Sequence, residues 1–242
     1  MTAAQPSAIL EVRDLRRAFG GIKAANGVSF ETRAQEILGV IGPNGSGKST
    51  LFNLISGTLR PDSGRIVFKG ADIAGWKPYR IARAGIGRTF QIPALFQNMT
   101  VAANLLAAAV EGDWRGAPRR VEEVLELLTL ERLRDSPASD LSGGQQKLLE
   151  LGRVLMRDCE LLLLDEVTAG VNPAIRAVIL DTVQLMRRRG RTFLVIEHDM
   201  EFIRSICERI IVMDFGEVVA SGDFDSVTQD SQVMRAYLGR PA

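Results

Sequence analysis

Short apolar segments alternate with longer amphipathic segments along most of the chain. Residues 161–164 and 193–196 are apolar at every position, which is typical of parallel strands that helices cover on both faces. From Val121 to Leu128, apolar residues instead recur with the i, i+3, i+4, i+7 spacing of an amphipathic helix. The alternation predicts an α/β fold. The predicted strands are residues 10–19, 28–32, 36–41, 65–68, 87–90, 161–165, 192–197, 209–214 and 217–220.

Helices are predicted in the segments between these strands. Because residues 72–140 contain more predicted helix than strand, we expect a helical subdomain, at about residues 92–157, inserted into the α/β core. A chain of 242 residues fits one domain, which we place at residues 9–239, between a flexible N-terminus (1–8) and a tail (240–242). The predicted helices are residues 48–56, 78–84, 101–110, 118–129, 143–157, 174–189 and 200–207.

The charge balance disfavours nucleic acid as a partner. The chain has 30 basic and 29 acidic residues, so it has no broad positive field that would attract DNA or RNA. Its apolar runs are far shorter than the roughly 20 residues that span a bilayer, so we expect no membrane crossing. Cys159 and Cys207 have no partner motif, and the N-terminus lacks the features of a signal peptide. These features predict a cytoplasmic protein.

A glycine-rich phosphate loop is predicted between an apolar strand and a helix. Its pattern, G-x-x-x-x-G-K-[ST], lets backbone N–H groups converge on a polyphosphate at a helix N-terminus. Lys48 would reach the β- and γ-phosphates, and the Ser49 hydroxyl would bind Mg²⁺. A glycine-rich turn with a surface lysine is the alternative, and the strand-loop-helix setting disfavours it. The loop and the start of its helix comprise Gly42, Pro43, Asn44, Gly45, Ser46, Gly47, Lys48, Ser49 and Thr50.

Two acidic residues end the apolar strand at 161–165. Ligands of open α/β sheets bind at the carboxyl ends of the strands, so Asp165 would help to hold Mg²⁺. Glu166 would point to the opposite side of the pleat and polarise a water molecule for attack on the γ-phosphate. The alternative is that they are two solvated acidic residues at a strand end, and the presence of the phosphate loop disfavours it.

A third motif precedes the acidic strand by about twenty residues: Leu141, Ser142, Gly143, Gly144 and Gln145. By itself it is an S-x-x-Q capping box that starts a helix. The phosphate loop, this motif and the acidic strand, in this order, resemble the ATP-binding cassette (ABC) ATPases over residues 9–239. The resemblance implies a P-loop NTPase core of ABC type, an inserted α-helical subdomain, an N-terminal antiparallel β subdomain, and ATP and Mg²⁺ as cofactors.

The same resemblance implies roles for further residues. The segment Ser142 to Gln145 would contact ATP held by the phosphate loop of a second subunit, so that ATP binding joins two cassettes and hydrolysis releases them. Gln91 would reach Mg²⁺ and the attacking water, and His198 would contact the γ-phosphate and orient Glu166. Phe19 would stack on adenine. The alternatives are a polar strand end for Gln91, a structural histidine, and core packing for Phe19.

Residues 85–91 and 95–101 resemble those of importers for branched-chain amino acids and their relatives for amides and urea, as do Ala236 to Gly239. The resemblance implies a peripheral subunit on the cytoplasmic face of the inner membrane. Its partners would be a second ATPase subunit, permease subunits that contact residues 92–98, and indirectly a periplasmic solute-binding protein. Val167 and Asn172 depart from the common pattern, which has proline and aspartate there.

Other functions are less well supported by the sequence. An ABC exporter ATPase, or a cassette ATPase that acts in DNA repair or on ribosomes, is the main alternative. The latter relatives usually carry a coiled-coil insertion or two cassettes, which this sequence lacks. An inert nucleotide-binding module is disfavoured because Lys48, Asp165, Glu166 and His198 occur together. A GTPase is disfavoured because no N-K-x-D motif is present.

Overall fold

The computed structural model describes residues 7–109, 116–230 and 233–234. The α-helices are α1 (Lys48–Ile55), α2 (Pro78–Ala84), α3 (Val101–Ala108), α4 (Ala117–Leu127), α5 (Gly143–Leu155), α6 (Pro173–Arg188), α7 (Met200–Ile206) and α8 (Phe224–Thr228). The strands are β1 (Ala8–Phe19), β2 (Ile22–Arg33), β3 (Ile37–Ile41), β4 (Ser63–Phe68), β5 (Ala71–Asp72), β6 (Ile86–Arg88), β7 (Leu161–Asp165), β8 (Thr192–Ile196), β9 (Arg209–Asp214) and β10 (Glu217–Gly222).

The strands form two sheets. The first is antiparallel, with the order β2-β1-β4-β5, and the second has the order β10-β9-β3-β8-β7-β6. In the second sheet β9, β3, β8, β7 and β6 are parallel, and only β10 pairs antiparallel, with β9. This arrangement confirms the predicted α/β core with an antiparallel β subdomain near the N-terminus.

The parallel sheet separates two hydrophobic cores. All five residues of β3, of β7 and of β8 are buried, and successive side chains point to opposite faces. In β7, Leu162 and Leu164 pack in a core that includes the helices α3 to α6, whereas Leu161 and Leu163 pack with α1 and the antiparallel sheet. The carboxyl ends of β3 and β7 therefore hold both predicted phosphate-site elements at one edge of the sheet.

Helices α3, α4 and α5 pack closely together. A Cβ atom at Gly152 of α5 would lie 2.8 Å from Leu128 Cδ1 and 2.9 Å from Leu105 Cδ2, closer than packed carbon atoms allow. The glycine thus lets α5 approach its neighbours. The Thr100 hydroxyl caps α3 by accepting a hydrogen bond from Ala103 N. These helices lie within residues 92–157, where the sequence predicts the inserted subdomain.

The structure differs from the predictions mainly at the ends of elements. Strand β5 and helix α8 were not predicted. The strand has two residues and the helix five, which are too few to show a periodicity. The Glu36 carboxylate accepts from Arg33 N at 2.7 Å in the turn before β3, so Glu36 precedes the strand instead of starting it. Residues 1–6 of the predicted flexible terminus, Val110 of the third predicted helix, residues 236–239 and the predicted tail lie outside the described residues.

No helix within the described ranges has the length and hydrophobicity that a bilayer crossing requires.

Candidate functional site

The phosphate loop connects the end of β3 to the start of α1. Gly42 and Gly47 have φ angles of 148° and 106°. A Cβ atom at these positions would lie 2.1 Å from Met213 O and 2.2 Å from Ala24 O, so only glycine fits there. Gly45 would meet no atom within 4 Å, which leaves that side of the loop open. Helix α1 has no side-chain cap, so its first N–H groups are available to an anion.

Lys48 is buried against its own loop. Its Nζ donates to Gly42 O at 2.8 Å and to Pro43 O at 2.9 Å. Burial lowers the pKa of Lys48, while the carboxylates of Glu166 and Asp165 raise it. The ammonium group therefore lies in a partly desolvated position near both acidic residues, where a phosphate group would find a strong electrostatic partner.

The remaining residues of the loop differ in exposure. Ser46 Oγ is buried without a hydrogen-bond partner among the described residues, so it is free to bond a ligand. Ser49 and Asn44 are exposed, and Thr50 is half-buried. Ser49 lies in the first turn of α1, where its hydroxyl is accessible to a bound ion.

Asp165 ends β7 in a buried ion pair that no sequence pattern predicted. Its Oδ2 accepts from Arg88 Nη2 at 3.0 Å, and the two side chains are only 6% and 9% exposed. Burial raises the pKa of Asp165, and Arg88 opposes this effect. Arg88 also donates to Asn53 Oδ1 and Ser56 Oγ. A charged residue inside the predicted strand 87–90 is the signal that identifies Arg88 in the sequence.

The Glu166 carboxylate is held by two predicted site residues. Gln91 Nε2 donates to Glu166 Oε2 at 2.7 Å, and His198 Nε2 lies 3.0 Å from Glu166 Oε1. The Glu166 side chain is 15% exposed and the His198 ring 49%. The structure therefore brings together three residues from separate loops, which follow β6, β7 and β8. A solvent-accessible carboxylate held in this way can accept a proton from water.

The backbone at Glu166 has left the extended conformation, with a φ angle of 50°. The turn therefore sets the direction of the Glu166 side chain. The expectation that the pleat of β7 sets this direction was wrong. Glu166 N donates to Ile196 O at 2.9 Å, and Lys147 Nζ donates to Glu166 O at 2.7 Å. No sequence pattern predicted a role for Lys147.

The motif before α5 forms a complete capping box. Ser142 Oγ accepts from Gln145 N at 3.4 Å, and Gln145 Oε1 accepts from Ser142 N at 2.9 Å. A Cβ atom at Gly144 would lie 2.5 Å from Ile175 Cδ1, whereas one at Gly143 would meet nothing within 4 Å. Gly144 thus permits close packing on α6, and Gly143 leaves the helix start open to solvent.

Phe19 ends β1 with its ring 44% exposed. The guanidinium carbon of Arg17 lies 4.9 Å from the ring centroid, a distance that permits a cation–π contact. Because Phe19 belongs to neither buried core, core packing does not explain this aromatic residue, and its ring is available to a ligand.

The chain matches a known protein family. The profile described as ABC transporter matches residues 25–169, which include the phosphate loop, the capping-box motif and the acidic strand. The chain belongs to the ABC transporter family. It is an ATP-binding subunit with an ATPase activity that is coupled to transport.

Relatives of this ABC transporter subunit cover almost the whole chain. The Archaeoglobus fulgidus protein named Probable branched-chain amino acid transport ATP-binding protein LivG is 40% identical over 245 residues, 96% of this chain and 95% of the relative. A nucleotide-free ATP-binding cassette from an ABC transporter superposes with a TM-score of 0.87 at 36% identity, covering 97% of this chain and 100% of that one. A dimeric post-hydrolysis cassette bound to ADP and Pi gives 0.80 at 25% identity, covering 89% and 98%.

Proposed function

We propose that this ABC transporter subunit drives the import of branched-chain amino acids by hydrolysing ATP with Glu166 as the general base. The observation that carries the catalytic part is the Glu166 carboxylate held between Gln91 and His198, at 2.7 and 3.0 Å. The solute class is supported by the transport named for the Archaeoglobus relative. The direction of transport is supported by the resemblance of residues 85–91 to importers.

The phosphate loop would bind the triphosphate through the N–H groups of the loop and of the first turn of α1. Lys48 would exchange its two carbonyl partners for phosphate oxygens, a stronger charge-assisted interaction. The unpartnered Ser46 hydroxyl is a further donor. The exposed ring of Phe19 would stack on adenine, with Arg17 on the same ring.

Magnesium fits the residues at the carboxyl edge of the sheet. The Ser49 hydroxyl, the Asp165 carboxylate and the Gln91 amide provide oxygen atoms, which Mg²⁺ prefers. Bound there, the ion would neutralise phosphate charge. Because Arg88 holds Oδ2 of Asp165, Asp165 would offer its other carboxylate oxygen to the ion.

His198 and Gln91 would act on Glu166. Both side chains hold its carboxylate oxygens, which fixes the direction in which the carboxylate accepts a proton from the attacking water. The half-exposed ring of His198 is also free to contact the γ-phosphate.

Two cassettes would bind ATP between them, and the dimer that a related cassette forms with ADP and Pi bound supports their association. The capping box is compatible with this role. The Ser142 oxygen accepts from Gln145 N, so its hydroxyl proton remains available to a phosphate. The N–H groups of Gly143 and Gly144 lie in the first turn of α5, where the helix dipole favours an anion. Gln145 would orient this segment through its bond to Ser142 N.

The permease would contact residues 92–98, at the cytoplasmic face of the membrane. Ile92 and Phe96 are 82% and 50% exposed, and a cavity of about 340 Å³ reaches the segment at Ala94. Its lining includes Ala94, Glu150 and Arg153. Arg153 donates to Ala94 O and lies 5.2 Å from the Phe96 ring. The segment is therefore anchored to α5, and its apolar side chains remain free to pack against a partner.

Uptake measurements test the proposed solute and direction. Cells in which the gene is deleted should lose accumulation of radiolabelled leucine, and the wild-type gene should restore it. Glu166→Gln should not restore it, because hydrolysis is lost. Urea accumulation, measured in parallel, should not change. Normal leucine uptake in the deletion strain, or loss of urea uptake alone, would contradict the proposed solute.

A further inference from the structure

Lys147 links the helix of the capping-box motif to the loop that carries Glu166. It lies on α5, about 6 Å along the helix axis from Gly143. Its Nζ donates to Glu166 O at 2.7 Å and to Ala169 O at 2.6 Å. Both carbonyl groups belong to the loop between β7 and α6, so one ammonium group bridges two points of this loop.

The loop needs such support because its backbone is strained at Glu166. A left-handed conformation of a residue other than glycine is sterically costly and persists only where neighbours fix it. Glu197 also holds this loop, since its Oε1 accepts from Thr168 N at 2.6 Å. Lys147 also lies near the carboxylates of Glu166 and Glu197, which stabilise its charge against the effect of burial.

We propose that Lys147 is a positioning residue that transmits the contact between residues 142–144 and the partner subunit's nucleotide to Glu166 of its own chain. The inference rests on the proposed ATP-bound dimer. In that dimer, residues 142–144 contact the nucleotide of the partner subunit, whereas Glu166 acts on the nucleotide bound by its own chain. Since a helix moves as a rigid unit over one turn, a shift of the start of α5 displaces Lys147 and the Glu166 carbonyl with it.

The test compares Lys147→Met with Arg120→Met as a matched control. Arg120 also donates to two backbone carbonyls at α5, those of Leu155 and Arg157, but at the opposite end of the helix. In Lys147→Met we expect kcat to fall about ten-fold or more with the KM for ATP within two-fold, and the Hill coefficient to fall to about 1. Lys147→Arg should restore both values, and Arg120→Met should change neither.

A second readout uses the subunit without nucleotide or Mg²⁺. Hydrogen–deuterium exchange should become faster in Lys147→Met at the amides of Thr168 and Ala169, and stay unchanged there in Arg120→Met. Should Lys147→Met aggregate, Lys147→Gln keeps most of the aliphatic stem and one donor group, and the same kinetic split is expected.

Faster exchange with an unchanged kcat and Hill coefficient would overturn the proposal, because Lys147 would then be a structural tether only. A wild-type Hill coefficient of about 1 would overturn it as well, since no signal would pass between the sites. Failure of the proposed function is distinguishable, because the wild-type subunit would then show neither ATP hydrolysis nor an ATP-dependent dimer.

Discussion

Arg88 and Asp165 form an ion pair that joins three elements of the nucleotide site. Arg88 Nη2 and Asp165 Oδ2 lie 3.0 Å apart, and Arg88 Nη1 donates to Asn53 Oδ1 on α1 at 2.7 Å. One guanidinium group thus connects β6, β7 and α1. Because both side chains are almost fully buried, neither charge has water as an alternative partner.

Replacement of Arg88 should therefore cost stability. Arg88→Met leaves the Asp165 charge buried without its partner, and we expect the free energy of unfolding to fall by about 3 kcal/mol, measured by urea denaturation. Adding Asp165→Asn should recover part of the loss. Arg13→Met, which removes a pair with Glu11 that is largely exposed, should cost less than about 1 kcal/mol. A loss no larger for Arg88→Met would contradict the importance of the buried pair.

Glu166→Gln should abolish hydrolysis while retaining nucleotide. The amide keeps the shape of the carboxylate but cannot accept a proton from water, so the rate should fall about 10²-fold or more. Dimers should then accumulate with ATP and Mg²⁺, which light scattering detects. Lys48→Ala, expected to lose nucleotide binding, is the control that should stay monomeric. A hydrolysis rate equal to that of wild type would remove Glu166 as the base.

Glu197 should make stability depend on pH. Burial raises the pKa of Glu197 above its ordinary value of 4.5, although hydrogen bonds from Thr168 and the charge of Lys147 oppose the effect. The folded state thus binds the proton more tightly than the unfolded chain. This contribution to stability is complete below pH 4.5 and is lost as the pH rises through the folded-state pKa.

The measurement is the melting temperature of wild type and Glu197→Gln at a series of pH values from 4.5 upward. Glutamine does not titrate, so the melting temperature of wild type should fall relative to that of the variant as the pH rises. A difference that stays constant across the series would show that Glu197 has an ordinary pKa.

Phe96→Asp should separate hydrolysis from transport. The ring is half exposed and lies outside the phosphate loop, so hydrolysis by the isolated subunit should remain within about two-fold of wild type. A charge in the apolar contact with the permease should lower leucine uptake at least about ten-fold, because burying an unpaired carboxylate is costly. Ile22→Asp, an exposed residue of the antiparallel sheet, is the control for uptake. Leucine uptake equal to that of wild type in Phe96→Asp would show that residues 92–98 do not form the contact with the permease.

The strands and the phosphate site were predictable because their signals are local. The apolar runs at β7 and β8 and the glycine pattern at Gly42 and Gly47 each lie in one short stretch of sequence, and the structure has these strands and the positive φ angles at both glycines. The capping box before α5 is equally local, since Ser142 and Gln145 are three residues apart.

The contacts that Arg88 and Lys147 make were not predictable in the same way. Arg88 lies 77 residues from Asp165 in sequence and Lys147 19 residues from Glu166, and no periodic pattern connects such pairs. The lysine amine donates to backbone carbonyls, which are the same for every residue type. Nothing in the identity of Glu166 or Ala169 therefore points to Lys147.

At position 166 the left-handed backbone favours glycine, whereas hydrolysis requires a carboxylate. Glycine adopts this conformation without the steric cost that a Cβ atom brings, so selection for heat tolerance alone would drive position 166 toward glycine. Glu166→Gly should consequently keep the fold and raise the melting temperature, while ATP hydrolysis is lost.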